Sequence, residues 1–234
     1  MQEPLTKRNK AIVLYSSGLD SSYNLLYSLD YFKELKVLFF NYGQKSFHKE
    51  SEKVKKVCKK LELELLELDL PYFKSFNSSI ISKNKNIPQY ESKNSITASN
   101  LTEWVPNRNG VFINIAAAIA ENFNFENIVV GFNKEEAELF PDNSIDFINT
   151  SNLALSFSTL NHVTVKTFSG DFFKKDILIE LNKLLIKNSL SPEIIWTCYN
   201  SFEKMCGKCQ SCVRLSSAIK ETKVGDGWEN LFLA

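Results

Sequence analysis

The segment AIVLYSSGLDSSYNLLYSL, residues 11–29, decides the fold of this chain. It opens with a short apolar run rich in strand-forming residues, and the apolar residues after Ser22 recur at helical spacing. The loop from Ser16 to Ser22 would therefore join a strand to a helix. There, successive backbone N–H groups converge and the helix dipole favours an anion, so the segment predicts a phosphate-binding loop. An ordinary turn with a Ser or Asp helix cap is the alternative.

The alternation of strand and helix continues along the chain. Further strands are predicted at residues 36–42, 64–70, 126–132 and 162–168, and helices at 46–61, 108–122, 147–157 and 174–187. This order implies parallel βαβ units. We therefore expect an α/β fold with an open, mostly parallel sheet and helices on both faces. Ligands bind such sheets outside the carboxyl ends of the strands.

A second signal lies near the C-terminus, where four of the five cysteines are concentrated in the spacing Cys198-x7-Cys206-Gly-Lys-Cys209-x2-Cys212. Tight Cys-x-x-Cys steps let thiolates meet one tetrahedral ion at about 2.3 Å, so the pattern predicts zinc. Four thiolates leave no open coordination position, and the ion would be structural. Disulfides or a redox Cys-x-x-Cys pair are the alternatives. Cys58, in a predicted amphipathic helix, is expected to be a small buried hydrophobe.

These signals divide the chain into two parts. Residues 1–190 would form the α/β domain, in which the Ser-, Asn- and Lys-rich stretch 71–101 is a surface insertion that could act as a lid. Residues 191–234 would form a zinc-binding C-terminal segment, an appendage to that domain.

Charge and hydropathy narrow the classes of partner. The chain carries 28 basic and 27 acidic residues, a net charge of +1, which gives no global case for a nucleic-acid or membrane partner. No stretch of about 18 uncharged apolar residues occurs, and the N-terminal residues lack an apolar signal region. We expect a cytoplasmic protein that acts on small molecules.

Six ordered segments resemble one enzyme family. SSGLDS at 16–21 is similar to the Ser-Gly-Gly-x-Asp-Ser pyrophosphatase loop (PP-loop) of enzymes that split ATP into AMP and pyrophosphate. WTCY and CGKCQSC, at 196–199 and 206–212, resemble the C-terminus of the 7-cyano-7-deazaguanine synthase (QueC) family. The segments between them that also resemble this family are NYGQK at 41–45, VPNRN at 105–109, GFN at 131–133 and FPD at 140–142.

The resemblance implies a ligase that uses ATP and Mg²⁺ to adenylate the carboxylate of 7-carboxy-7-deazaguanine. Ammonia then displaces AMP to give an amide, which is activated and dehydrated to the nitrile. The implied ATP-binding residues are Ser16, Ser17, Gly18, Leu19, Asp20, Ser21, Gly43 and Gln44. The implied substrate-binding residues are Arg108, Asn109, Asn133, Glu136, Pro141 and Asp142. The implied catalytic residues are Asp20, Ser21, Arg108 and Lys174. A homodimer is implied as well.

Two of these roles carry a structural alternative. The planar guanidinium of Arg108 suits a bidentate contact to phosphate or carboxylate, and a structural salt bridge is its alternative. Lys174 could supply positive charge to the leaving pyrophosphate, and a solvated lysine beside Lys175 is its alternative. Asp20 is also expected near Mg²⁺, which prefers oxygen ligands.

The chain departs from the family pattern at three places. Ser17 replaces a loop glycine, Ser46 replaces a histidine with His48 displaced by two residues, and Ser144 replaces an arginine. These changes leave open a paralogue that couples the activated acid to another amine, such as a protein amino group in an antiphage defence system. A tRNA-modifying PP-loop enzyme and a non-catalytic nucleotide-binding protein are further alternatives, and the net charge argues against the first.

Overall fold

A five-stranded sheet in the order β3-β2-β1-β4-β5 organises the molecule, and every neighbouring pair of strands is parallel. The computed structural model describes residues 10–97, 102–225 and 227–233. The strands are β1 Lys10–Leu14, β2 Glu34–Asn41, β3 Glu64–Asp69, β4 Asn127–Val129 and β5 Thr164–Lys166. The predicted parallel α/β fold is confirmed, although β4 and β5 are shorter than their apolar runs suggested.

Helices connect the strands and continue beyond the last one. The α-helices of the described residues are α1 Leu19–Tyr31, α2 Phe47–Lys60, α3 Arg108–Asn122, α4 Lys134–Ala137, α5 Ile145–Ser158, α6 Lys174–Lys187 and α7 Gln210–Thr222. Short 3-10 helices occupy Pro71–Ser75, Lys93–Ser95, Pro141–Asn143, Pro192–Ile194 and Glu229–Leu231. None of the described helices has both the length and the apolarity needed to cross a membrane.

The sheet separates two apolar cores because successive side chains of a strand point to opposite faces. On β1, Ala11 and Val13 belong to the core that also holds buried residues of α1, α2, α6 and α7. Ile12 belongs to the other core, which is covered by α3 and α5. Helices therefore lie on both faces, and the crevice for ligands remains at the carboxyl edge of the sheet.

The C-terminal segment shares the first of these cores. Ile194, Trp196 and Cys209 are buried in the same cluster as Val13 and Leu25. The expectation of an appendage was wrong in this respect, because the segment packs directly on the α/β elements. The division of the chain at residue 190 into two domains stays a prediction.

The insertion is also more buried than its polar composition suggested. Phe73 is completely buried, and Ile80 and Ile81 belong to the second core. Farther along, Tyr90 and Ile96 pack with Val213 of α7. Its role as a lid stays a prediction, and its last residues, 98–101, lie outside the described residues.

Candidate active site

The predicted phosphate loop lies at the point where the strand order of the sheet reverses. β1 pairs with β2 on one side and with β4 on the other, and the loop follows β1 directly. Gly131, just after β4, lies so close to this loop that a Cβ atom there would stand 2.7 Å from the backbone nitrogen of Ser21. Ligands of open parallel sheets bind at such switch points. The contact at Gly131 therefore holds the loop at the expected binding position.

The start of α1 has no side-chain cap. Gly18 occupies the position before the first helical residue, and no side chain forms a capping hydrogen bond there. The alternative of an ordinary Ser- or Asp-capped turn is thus not what the structure shows. The hydroxyl of Ser21 accepts a hydrogen bond from the Ser16 backbone nitrogen and donates to the Gly18 carbonyl oxygen, at 3.3 and 3.2 Å. The open N–H groups and the helix dipole make this end of α1 suitable for an anion.

Ser17 adopts a conformation that glycine adopts more readily. Its φ is +61°, and its side chain is completely buried. The hydroxyl donates to the Ser16 carbonyl oxygen at 2.5 Å, and the Ser17 carbonyl oxygen accepts a hydrogen bond from the Trp196 backbone nitrogen at 2.9 Å. A residue with a Cβ atom pays strain at this positive φ that the glycine it replaces would not pay. Ser17 thus joins the loop to Trp196, and it does not line the main cavity of the site.

A buried charge cluster stands beside the loop. Lys174, at the start of α6, is only 5% exposed, so the alternative of a solvated lysine was wrong. Its ammonium group forms ion pairs with Asp20 of α1 and, at 2.7 Å, with Glu136 of α4. The three groups come from three helices that meet at the carboxyl edge of the sheet, and Lys175 points outward.

The protonation of the cluster follows from burial and charge. Burial raises the pKa of Asp20 to about 6, the positive charge of Lys174 opposes this rise, and the negative charge of Glu136 adds to it. Burial also disfavours the ionised form of Glu136, but Lys174 and Arg214 outweigh it and lower the pKa of Glu136. For Lys174, the two carboxylates outweigh burial and raise the pKa, so the ammonium group remains charged at neutral pH.

Arg108 begins α3 on another wall of the site. Its Nη1 atom donates to the hydroxyl of Tyr42 at 3.3 Å, and the guanidinium carbon lies 5.6 Å from the centre of the Tyr42 ring. Among the described residues no carboxylate forms an ion pair with Arg108, so the alternative of a structural salt bridge is not supported there. The stacked guanidinium retains donors for an anionic ligand.

These groups surround one cavity of about 230 Å³. Of the predicted site residues, those that line it are Ser16, Gly18, Leu19, Asp20, Ser21, Gln44, Arg108, Asn109, Glu136 and Lys174. Asp142 lines a smaller cavity of about 50 Å³ that shares Arg108 and Glu136 with the first. The phosphate loop, the charge cluster and the arginine therefore face a common space.

Besides Ser17, three predicted ATP- or substrate-binding residues line neither cavity. Gly43 has a φ of +85°, and its turn places Gln44 against the cavity. Asn133 is fully buried and caps α4, where its side-chain oxygen accepts from the Glu136 backbone nitrogen at 2.9 Å. Pro141 begins a 3-10 helix and lines neither cavity. Each of the three helps to fix the backbone next to a residue that lines one of the two cavities.

The structure also brings in residues that sequence reasoning did not select. Those that line the main cavity are Tyr42 and Ser46 from the β2–α2 connection, Glu50 from α2, and Trp196, Thr197, Tyr199 and Ser211 from the C-terminal segment. Trp196 and Tyr199 flank Cys198; both pack in the adjoining core, and both also face the cavity. The signal that could have found Tyr42 and Ser46 is their position within and beside NYGQK.

The other two departures from the family pattern differ in their position. Ser46 lines the cavity and is buried, whereas His48 is exposed on the surface, as the rotation of the helix predicted. Ser144 caps α5, with its hydroxyl oxygen accepting from the Phe147 backbone nitrogen at 3.1 Å, and it lines neither cavity.

The four clustered cysteines form a separate centre behind Trp196. Their sulfur atoms all lie within 4.8 Å of one another, and no disulfide joins any of the five cysteines. Backbone N–H groups of Cys206 and Cys209 donate to the sulfurs of Cys198 and Cys206 at 3.4 and 3.3 Å. Four converging sulfurs of this kind can hold one metal ion. Cys58 is buried, and burial raises the pKa of its thiol to about 11, as expected of an unreactive hydrophobe.

Comparison with known proteins identifies the family of this chain. The family model described as queuosine biosynthesis protein QueC matches residues 10–223. The 7-cyano-7-deazaguanine synthase of Carboxydothermus hydrogenoformans is 42% identical over 89% of this chain and 97% of its own length. That of Bdellovibrio bacteriovorus is 38% identical over 94% of this chain and 96% of its own. That of Methanosarcina mazei is 37% identical, over 93% and 96%.

Among solved structures, the U34-tRNA thiolase NcsA from Methanococcus maripaludis superposes with a TM-score of 0.49 at 13% identity, over 80% of this chain and 59% of that one. The identities of the sequence relatives are far higher, and the matched family model extends over both the phosphate loop and the cysteines. The chain therefore belongs to the QueC family of queuosine biosynthesis proteins.

Proposed function

We propose that this chain uses ATP to convert 7-carboxy-7-deazaguanine into 7-cyano-7-deazaguanine, the product after which its curated relatives are named. The observation that carries the proposal is the buried Lys174, held by Asp20 and Glu136 beside an uncapped helix start. Arg108 lines the same cavity. The site thus offers one cationic group beside the phosphate loop and a second at the start of α3.

The loop and Lys174 act on the phosphate end of ATP. The N–H groups at the start of α1 donate to the phosphate oxygens, and the hydroxyl of Ser16 adds a donor from the cavity wall, which Ser21 also lines. When AMP is transferred to the substrate carboxylate, negative charge develops on the departing pyrophosphate. The ammonium group of Lys174 is already fixed in place and desolvated, so it stabilises this charge with little reorganisation.

Arg108 holds the carboxylate that is to be activated. Its guanidinium is stacked on Tyr42 and oriented by hydrogen bonds to Tyr42 and Asn109, so a planar pair of donors can face a carboxylate. Aromatic walls contributed by Phe40, Phe112 and Phe132 line the space around it. These walls limit access of water to an acyl-adenylate, which favours attack by ammonia over hydrolysis.

One further atom of the site, a carboxylate oxygen of Asp20, suits Mg²⁺. The second carboxylate oxygen of Asp20 is buried and has no hydrogen-bond partner among the described residues. Such an orphaned carboxylate oxygen beside a phosphate site suits a hard cation that shares its coordination with ATP oxygens. Mg²⁺ would neutralise phosphate charge there, while Asp20 fixes its position relative to Lys174.

The four cysteines are assigned to a structural Zn²⁺. The converging sulfurs match the tetrahedral four-thiolate sites typical of zinc, and they leave no position for a substrate. Cytoplasmic location and a homodimer belong to the same proposal and rest on the family resemblance. Light scattering of the purified protein during size-exclusion chromatography tests the dimer.

The reaction is tested by incubating the metal-loaded protein with ATP, Mg²⁺ and 7-carboxy-7-deazaguanine, with and without ammonium. Mass spectrometry should detect the amide and then the nitrile only with ammonium, together with AMP and pyrophosphate. Release of AMP without either product would overturn nitrile formation and favour another amine acceptor. Absence of AMP under all conditions would favour a protein that binds nucleotide without turnover.

A further inference from the structure

A half-buried carboxylate lines the cavity, and it belongs neither to the phosphate loop nor to the charge cluster. Glu50, on the first turn of α2, lines the cavity next to Ser46. Its two oxygens accept hydrogen bonds from the Ser46 hydroxyl at 2.6 Å and from the Gln44 side-chain amide at 3.0 Å. The carboxylate is therefore held in one orientation at the wall of the substrate cavity.

The surroundings of Glu50 hold it without neutralising it. Among the described residues no lysine or arginine forms an ion pair with its carboxylate, and the Ser46 hydroxyl and the Gln44 amide are neutral donors. Burial raises the pKa of Glu50, although the donors and the more distant Arg108 oppose the rise. A desolvated carboxylate of this kind costs free energy unless further donors reach it. Each of its oxygens can accept at least one more hydrogen bond.

Gln44 serves as a support for this carboxylate. Its amide nitrogen donates to the Phe40 carbonyl oxygen and to Glu50, and its amide oxygen accepts from the Tyr42 backbone nitrogen at 2.9 Å. The side chain is 4% exposed and these contacts occupy both of its ends. Gln44 is thus a positioning residue for Glu50, which presents the remaining acceptors to a ligand.

We infer that Glu50 recognises the guanine-like edge of the deazapurine by accepting its ring N–H and its exocyclic amino group. The inference rests on the proposed function and names the contact that selects the substrate. A carboxylate has two acceptors side by side, which match two adjacent N–H donors. An adenine edge places an acceptor nitrogen beside its amino group and would oppose one carboxylate oxygen. The deazaguanine, and not ATP, therefore complements Glu50.

The wild-type protein tests this contact without any substitution. Binding of 7-carboxy-7-deazaguanine is compared by calorimetry with binding of its analogue that lacks the 2-amino group. Loss of one hydrogen bond to a charged group should weaken binding of the analogue about 10- to 100-fold. Equal dissociation constants for the two compounds would overturn the assignment. No measurable binding of either would overturn the proposed function together with it.

The Glu50→Gln variant provides a second test of this contact. Because an amide presents a donor where the edge also presents donors, the dissociation constant for 7-carboxy-7-deazaguanine should rise about 10- to 100-fold. The difference between the two compounds should shrink to less than about threefold, while binding of a non-hydrolysable ATP analogue should change less than about twofold. Retained binding of the ATP analogue also shows that the variant is folded.

Glu52→Gln is the matched control, since Glu52 lies on the same helix with an exposed side chain and pairs only with surface lysines. All three dissociation constants should equal those of the wild type. A Glu50→Gln variant that loses the ATP analogue and keeps the deazapurine would assign Glu50 to the nucleotide and overturn the inference. That result would leave the proposed function standing, because the wild type would still bind and convert its substrate.

Discussion

The phosphate loop and the four-cysteine centre lie on either side of Trp196, yet their geometry has different origins. The loop from Ser16 to Ser22 is shaped by the sheet, by the approach of Gly131 and by the pairing of Asp20 with Lys174. In the cysteine centre, four sulfurs converge within 4.8 Å through a chain with little regular structure before α7. One site is assembled from elements distant in the sequence, and the other from four side chains of a single short segment.

Removal of the metal should have the largest effect of the changes considered, and it acts first on the cysteine centre. Chelation, or the Cys206→Ser variant, should remove about one metal ion per chain and lower the melting temperature, because structural zinc contributes folding free energy on the order of 10 kcal/mol in small zinc domains. Elemental analysis and calorimetric melting measure both effects. Cys58→Ala is the control and should keep its metal. An unchanged melting curve after complete metal loss would contradict this account.

The Asp20→Asn variant should impair the activity that depends on the phosphate loop and leave the cysteine centre unchanged. Without the carboxylate, Lys174 loses one partner and the proposed cation loses an oxygen ligand, so release of pyrophosphate should fall at least about 100-fold. A coupled pyrophosphate assay measures the change, and metal content should stay the same. Asp30→Asn, at an exposed position of α1, is the control. Undiminished turnover in Asp20→Asn would remove Asp20 from the site.

Gly131→Ala tests whether packing sets the loop. The added methyl group would lie 2.7 Å from the Ser21 backbone nitrogen and 2.9 Å from its Cα atom, so the loop must shift. We expect a loss of unfolding free energy of about 1–3 kcal/mol and weaker ATP binding. Gly225→Ala is the matched control, because nothing lies within 4 Å of its added Cβ atom. Equal ATP affinity in both variants would mean that the approach of Gly131 is immaterial.

The pH dependence should sharpen the assignment of the charge cluster. Asp20 has a pKa of about 6, so below this pH it becomes protonated and loses its attraction to Lys174. The kcat/KM of pyrophosphate release should therefore fall as the pH decreases through about 6. Glu136→Gln removes a negative charge that raises the pKa of Asp20, and the midpoint should move to lower pH. A midpoint that moves upward would contradict the proposed coupling.

Ser17→Gly should have the smallest effect. Glycine tolerates the φ of +61° without the clash of a Cβ atom, and the variant loses only the hydroxyl contact to Ser16. The unfolding free energy should rise by at most about 1 kcal/mol, with ATP binding kept. Ser17→Ala, which keeps the strain and loses the hydroxyl, should instead be less stable than the wild type. Differential scanning calorimetry separates the two, and a destabilised Ser17→Gly would refute the strain argument.

The sequence predicted those features that depend on local pattern. The apolar run before Ser16 and the helical spacing after Ser22 were sufficient for the strand, the loop and α1, and the spacing of the cysteines was sufficient for their cluster. Resemblance to the QueC family located Arg108 and Lys174, but the burial of Lys174 follows from two carboxylates on other helices. No local pattern reports such a meeting, because it depends on how α1, α4 and α6 converge.

The cavity walls were the least predictable part. Glu50 lies in a charged helix whose other acidic residue, Glu52, is exposed, and only tertiary packing distinguishes the two. Thr197 and Ser211 were hidden by the cysteines beside them, which drew the interpretation toward a metal centre alone. The apolar residues of the insertion, such as Phe73, were masked by the polar residues around them. In each case the missing information was which surface of one element faces another.

The hydrogen bond from the Trp196 backbone to Ser17 has a consequence for synthesis of the protein. The two residues stand near opposite ends of the chain, so a nascent chain on the ribosome carries the loop long before its support exists. Contacts between such distant residues form late, because the intervening chain must first be ordered. This support of the loop therefore forms only once Trp196 has been synthesised. A product truncated before Trp196 would lack it, so the conformation of Ser17 depends on a residue made about 180 positions later.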